Sequence, residues 1–170
     1  MARVLALDPA SCTGWAEATT TAPGRAVFHG AGAWDLGAGW RRPMVLRGLL
    51  RDRLSRAPRI TALCLEVHLD HGVTVVRDGK KQRVQAVHAA HLSGALLFAV
   101  HEVAELLRVP VVEVTPTAAK AAAGGGRFNK DQVRAAARGR FGLELGEDAA
   151  DALFVLCAAH NVLHLDPETP

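Results

Sequence analysis

The sequence predicts an α/β fold, with a central five-stranded mixed sheet flanked by helices on both faces. Three observations point to it. Short strand-like runs separated by turns fill the first 34 residues, as in an antiparallel meander. Helical and strand-like segments then alternate to the end of the chain, which is a mixed α/β order. Ile60–Val67 is apolar almost without interruption, as expected for a strand covered on both faces.

Taken in order, Arg3–Asp8 reads as the first strand and Asp8–Gly14 as a turn. Trp15–Thr20 is the second strand, Ala22–Arg25 the next turn, and Ala26–Trp34 the third strand. Gly37–Pro43 is a loop. Met44–Ser55 carries Val45, Leu46, Leu49, Leu50 and Leu54 at helical spacing, and Ala57-Pro58 ends it. After the apolar strand, His68–Arg83 reads as a loop, with a small hairpin as the alternative. Val84–Leu107 is a long alanine-rich helix stopped before Pro110, and Val111–Val114 a short strand. Thr115-Pro116 pairs a good N-cap with proline at the first helical position, starting a helix through Ala123. The glycines at 124–126 break the chain. Asn129 and Gln132 have the spacing of a capping box for a helix to about Arg140. Asp148 to about Leu163 is the last helix, and 164–170 a frayed tail behind a single domain over residues 1–163. This order of elements is the ribonuclease-H-like arrangement.

Bulk properties narrow the classes. The 170 residues suffice for one real core, and 49% hydrophobic with 22% charged residues is ordinary for a globular chain. A net charge of +3 and a pI near 9.1 lean mildly towards an anionic partner. Cys12, Cys64 and Cys157 are scattered, with no Cys-x-x-Cys pair, so a reducing cytoplasm is expected and neither a zinc site nor a disulfide framework. The N-terminal residues lack a signal-peptide run. The longest apolar stretch, around Leu92–Ala104, is interrupted by His101 and Glu102, so no membrane is expected.

The chemistry lies in four carboxylates. Val4-Leu5-Ala6-Leu7 leads into Asp8, a strand of similar character leads into Glu66, and Asp148 and Asp151 stand three apart at the head of an apolar helix. A carboxylate at a buried strand end is costly to desolvate without a compensating positive charge. If the strands are neighbours and the helix packs across their ends, four acids converge with no evident cation among them. Divalent metal is the natural compensator, and two ions about 4 Å apart suit phosphodiester hydrolysis. Asp148 and Asp151 at i and i+3 share one helix face. Any one of these acids alone could be a turn residue or a complement to a helix dipole; three sites in the right order are much less readily explained that way.

Other residues carry less. His88 and His91 lack a third ligand and read as packed or surface histidines. The arginines at 47, 51, 53 and 56 read as a solvated helix face. The glycines at 124–126 are not a phosphate-binding loop, because no Gly-Lys-Ser/Thr follows. Lys120, Arg127 and Lys130 flank that glycine run and suit contacts that track a phosphate backbone.

Val4-Leu-Ala-Leu-Asp8-Pro-Ala-Ser-Cys-Thr-Gly14-Trp-Ala16 resembles the opening motif of the RuvC Holliday-junction resolvases. Asp148-Ala-Ala-Asp151-Ala-Leu resembles their closing motif, and Leu65-Glu66 stands where their second acid belongs. The resemblance spans Arg3 to about Asn161. It implies a homodimeric, magnesium-dependent endonuclease (two Mg2+ per site, Mn2+ substituting) that nicks opposing strands of a four-way junction. It implies Asp8, Glu66, Asp148 and Asp151 as catalytic residues and metal ligands, and Lys120 and Lys130 as phosphate contacts. The chain departs from the family at Ala10, where glycine is usual, and at Val67, where glutamine is typical. Residues 68–73 carry no aromatic wedge, only imidazoles, so opening of branched DNA falls either to His68, His71 or the basic run from Arg77 through Lys80 and Lys81 to Arg83, or to a different mode of opening. That shape fits a viral or divergent member, acting in a bacterial or phage-infected cell. The branch-migration partner is not indicated. The alanine-rich 84–107 helix is the expected dimer interface, since small residues permit close approach. The alternatives are a related nuclease acting on flaps or RNA–DNA hybrids, and an inactive junction-binding relative. A sugar-kinase or actin-like ATPase shares the opening turn but needs two such domains.

Overall fold

A computed structural model describes residues 1–10, 12–68, 72–77, 80–85 and 87–167, with the backbone alone for 72–77, 80–85, 87–88 and 167. The elements are β1 (Ala2–Asp8), β2 (Cys12–Ala22), β3 (Arg25–Asp35), α1 (Arg42–Ser55), β4 (Ala62–Glu66), β5 (Gly72–Arg77), β6 (Lys80–Gln85), α2 (Val87–Leu107), β7 (Val111–Val114), α3 (Pro116–Ala123), α4 (Lys130–Phe141), α5 (Glu147–His160) and β8 (His164–Pro167). A single 3₁₀ turn, Gly39–Arg41, precedes α1.

The main sheet has strand order β7-β4-β1-β2-β3-β8. The β1–β2–β3 meander is antiparallel, while β4 joins β1, β7 joins β4, and β8 joins β3 in parallel. The mixed α/β sheet is thus as expected, but with six strands rather than five. The sixth is the segment expected to fray. Gly24 O accepts hydrogen bonds from the N–H groups of Leu163 (2.8 Å) and His164 (3.0 Å), and Arg25 grips the Asp166 carboxylate with two bonds of 2.8 and 2.9 Å. Asn161, at φ 50°, ends α5 three residues earlier than expected and turns the chain back to the sheet edge.

The expected loop at 68–83 instead contains the β5–β6 hairpin, the alternative considered. Val73-Thr74-Val75-Val76 is β-branched throughout and favours the extended state. Strand β6 runs to Gln85, so α2 begins at Val87 rather than Val84.

Period-two alternation divides the core. Val4 and Ala6 pack on one face with Ala16, Cys64 and the buried residues of α3, α4 and α5. Leu5, Leu7, Leu63, Leu65 and Val67 pack on the other, against Leu46, Leu50 and Leu54 of α1 and Leu96, Val100 and Val103 of α2. Central strands covered on both faces need apolar residues at successive positions, which is why β1 and β4 read as unbroken runs. By length and composition, Ala89–Leu107 would be long and apolar enough to cross a bilayer. Its packing assigns one face to the core: Leu96, Ala99, Val100, Val103 and Ala104 are buried there.

Arg53 does not belong to a solvated helix face. With Arg3 it holds Glu17, a buried carboxylate in the middle of β2, and so ties α1 to the sheet. The capping expectations hold. Thr115 accepts from the Ala118 N–H at 3.2 Å, and Asn129 and Gln132 exchange reciprocal bonds of 2.9 Å.

Candidate active site

The ends of two central strands create the site. The parallel register pairs Leu7 with Leu65, so Asp8 and Glu66 follow side by side. Because Leu7 and Leu65 face α1 and α2, the next residue of each strand faces α3, α4 and α5. Extended pairing persists past β4: Val67 N–H donates to Val114 O at 2.9 Å, and Val67 is buried on the α1–α2 side. His68 is therefore returned to the same face as Glu66.

Helix α5 crosses this face. Gly146 caps its N-terminus without a side-chain bond, and Glu147 and Asp148 occupy its first turn, where the helix dipole favours acids. Asp8, Glu66, His68, Lys120, Lys130, Asp148 and Asp151 line one cavity of about 280 Å³, with Ala10, Pro116, Ala119, Val133 and Phe154 as its other walls. The four sequence-predicted acids thus share one cavity, and Lys120 and Lys130 stand with them.

The expectation of no cation among the acids does not hold. His68 Nε2 lies 2.8 Å from Glu66 Oε1, a hydrogen bond, and 3.7 Å from Asp8 Oδ1. The carboxylates of Asp8 and Glu66 push the His68 pKa up to about 10, against the opposing effect of partial burial. Metal-free, the acids are thus partly neutralised by an imidazolium. Asp151 is pushed up to about 6 by burial first, and then by the charges of Asp8 and Glu66. Lys130 donates to Glu147 at 2.9 Å, and this bond raises its pKa.

The site contains its own test for a cation. Asp8 Oδ1 is buried and accepts no hydrogen bond among the described residues, a costly state for a carboxylate oxygen. Ligand atoms of Asp8, Glu66 and His68 all lie within 4.8 Å of one another. Carboxylate oxygens with an unmet need for positive charge fit hard divalent ions such as Mg2+ or Mn2+.

The remaining expectations divide. Arg127 is exposed between α3 and α4 and does not line the cavity. Lys80, Lys81 and Arg83 lie on β6, with side chains outside the described residues, as does the His88 side chain. His71 also lies outside the described residues, and His91 is exposed. Two neighbours of the acids lie beyond the sequence expectations, His68 on the cavity wall and Cys12 beside Asp148. For His68, expected only as one of several candidates for junction opening, the signal is its i+2 spacing from Glu66, which on an extended chain puts both on one face. Cys12, expected as a scattered thiol, stands close enough to Asp148 that burial first and then this carboxylate raise its pKa.

No family model and no curated protein matches the chain. Solved structures do. The chain is similar to Thermus thermophilus RuvC, at 23% identity and a TM-score of 0.67, over 92% of each chain. It is similar to the same organism's RuvC in complex with a Holliday junction substrate, at 21% identity and a TM-score of 0.71, covering 93% of this chain and 92% of that one. The yeast mitochondrial Holliday junction resolvase Ydc2 matches at 12% identity and a TM-score of 0.58, covering 94% of this chain and 78% of its own. The fold is thus that of the RuvC resolvases.

Proposed function

We propose that this chain is a Holliday junction resolvase, a structure-selective endonuclease that makes paired nicks in four-way DNA by metal-assisted phosphodiester hydrolysis. One observation carries the reading: Asp8, Glu66, Asp148 and Asp151 share a cavity at the strand ends of a RuvC fold. Asp8, Glu66, Asp148 and Asp151 would hold two Mg2+ ions, with Mn2+ substituting. When bound, such ions activate the attacking water and stabilise the leaving oxygen.

The chain's own residues do the rest. Lys120 on α3 and Lys130 at the head of α4 place positive charge on the cavity wall, where it can fix phosphates beside the acids. Arg127, Lys80, Lys81 and Arg83 extend the basic contacts along branched DNA. A two-fold substrate suits a homodimer. Helix α2 offers an outer face for one: Ala89 and Gly94 are exposed there, Ala90 and Ala95 half-buried, and Phe98 and Leu106 are 66% and 65% exposed.

The test uses labelled four-way, flap and RNA–DNA hybrid substrates with Mg2+ and with chelator. Symmetric paired nicks in the junction, lost with chelator and in Asp8→Asn, are expected. Cleavage of hybrids or flaps alone would assign a different substrate, and metal-insensitive junction binding without cutting by the parent would make it a binding protein.

A further inference from the structure

We propose that His68 is a direct nitrogen ligand of a divalent ion held with Asp8 and Glu66, giving this site a preference for Mn2+ and similar transition ions over Mg2+. The inference deepens the metal-site reading above and rests on it.

Backbone geometry supplies the first support. Glu66 and His68 are i and i+2 on a chain kept extended by the Val67–Val114 bond, and Val67 is anchored in the opposite core. His68 therefore leaves β4 on the same side as the two acids.

Donor geometry supplies the second. Nε2 sits 2.8 Å from Glu66 Oε1 and 3.7 Å from Asp8 Oδ1, and ligand atoms of all three residues lie within 4.8 Å of one another. Ligands bonded at about 2.0–2.2 Å to one ion are separated by roughly 3 Å when adjacent and 4 Å when opposite. The two His68 separations match that range, and the 4.8 Å limit on the whole trio leaves only a small contraction to close around one ion. The orphaned Asp8 Oδ1 faces this group with no hydrogen bond to lose among the described residues.

Ligand chemistry supplies the third. Mg2+ favours an all-oxygen octahedron, whereas imidazole nitrogen suits later divalent ions and binds Mn2+ more readily than Mg2+. Replacing one oxygen donor by imidazole therefore shifts selectivity without adding an acid. Binding displaces one proton from Nε2, and its lone pair then forms the metal bond.

The test applies pulsed EPR to the full chain, stripped of metal and loaded with Mn2+, alongside calorimetric titration with Mn2+ and Mg2+. Imidazole ¹⁴N modulation of the Mn2+ signal is expected, converting to the ¹⁵N pattern in protein labelled at histidine. His68→Gln should lose the modulation and weaken Mn2+ about tenfold, with a much smaller change for Mg2+. Absence of nitrogen coupling in the parent, or coupling and Mn2+ affinity unchanged in His68→Gln, would overturn the assignment. Asp8→Asn separates the two readings. Loss of Mn2+ binding there with a silent His68→Gln removes only the nitrogen ligand, whereas Mn2+ retained at full affinity in Asp8→Asn removes the metal site itself.

Discussion

Gly14 on β2 and Asp148 on α5 approach so closely that a Cβ on Gly14 would lie 1.9 Å from the Asp148 carbonyl oxygen. No side chain fits there unless helix or strand moves. The contact sets where the first turn of α5 rests, and with it the two aspartates that face Asp8 and Glu66. Gly14→Ala is therefore expected to lower stability by about 1–3 kcal/mol, as overpacking does, and to weaken metal binding. Thermal melting and metal titration would show it. Gly48→Ala is the control: Gly48 lies within α1 with nothing near its missing Cβ, so alanine should stabilise by about 0.5–1 kcal/mol.

Asp151 gives a pH-dependent prediction. Its folded pKa of about 6 lies above the ordinary carboxylate value. A raised acid contributes stability that is present below the unfolded pKa and is lost as pH rises through the folded one. Metal-free Asp151→Asn should thus melt above the parent at pH 7.5, by about 1 kcal/mol after solvent screening of a partly exposed group, and alongside it below pH 4. Added Mg2+ should raise the parent's melting temperature more than the variant's. Equal melting at both pH values would show that Asp151 carries no such strain.

The Arg3–Glu17–Arg53 group tests the scaffold apart from the site. Removing the shared carboxylate leaves two guanidinium groups without their partner, so Glu17→Ala should cost about 3–5 kcal/mol. Glu17 does not line the acidic cavity, so cleavage per folded molecule should persist at low temperature. Denaturant unfolding paired with a junction assay measures both.

Lys120→Ala and Lys130→Ala should each weaken junction binding and reduce the slope of log affinity against log salt by about one. Lys130→Ala also frees Glu147 from its 2.9 Å partner, so the larger loss is expected there. Fluorescence anisotropy across a salt series is the measurement, and an unchanged slope would remove that lysine from the interface.

Phe98→Glu on the outer face of α2 should convert a dimer to monomer without unfolding it, since Phe98 is largely exposed in the subunit. Sedimentation would report a halved mass. A parent that is already monomeric would remove α2 from this role.

Sequence alone determined the parts that depend on neighbours in the chain. Alternation and unbroken apolar runs marked the sheet. Caps at Thr115 and Asn129 located two helix starts, and strand-end acids with an i, i+3 pair picked out four residues that line one cavity. Tertiary structure decided what depends on distant partners. The tail became a strand because the Gly24 carbonyl and Arg25 were waiting at the sheet edge. Arg53 turned inward because Glu17 lies buried beneath α1. His68 joined the acids because pairing with Val114 carried the extended backbone past the end of β4. Local propensity reports what a residue prefers within a few positions, whereas burial and charge pairing are settled only when separate segments meet.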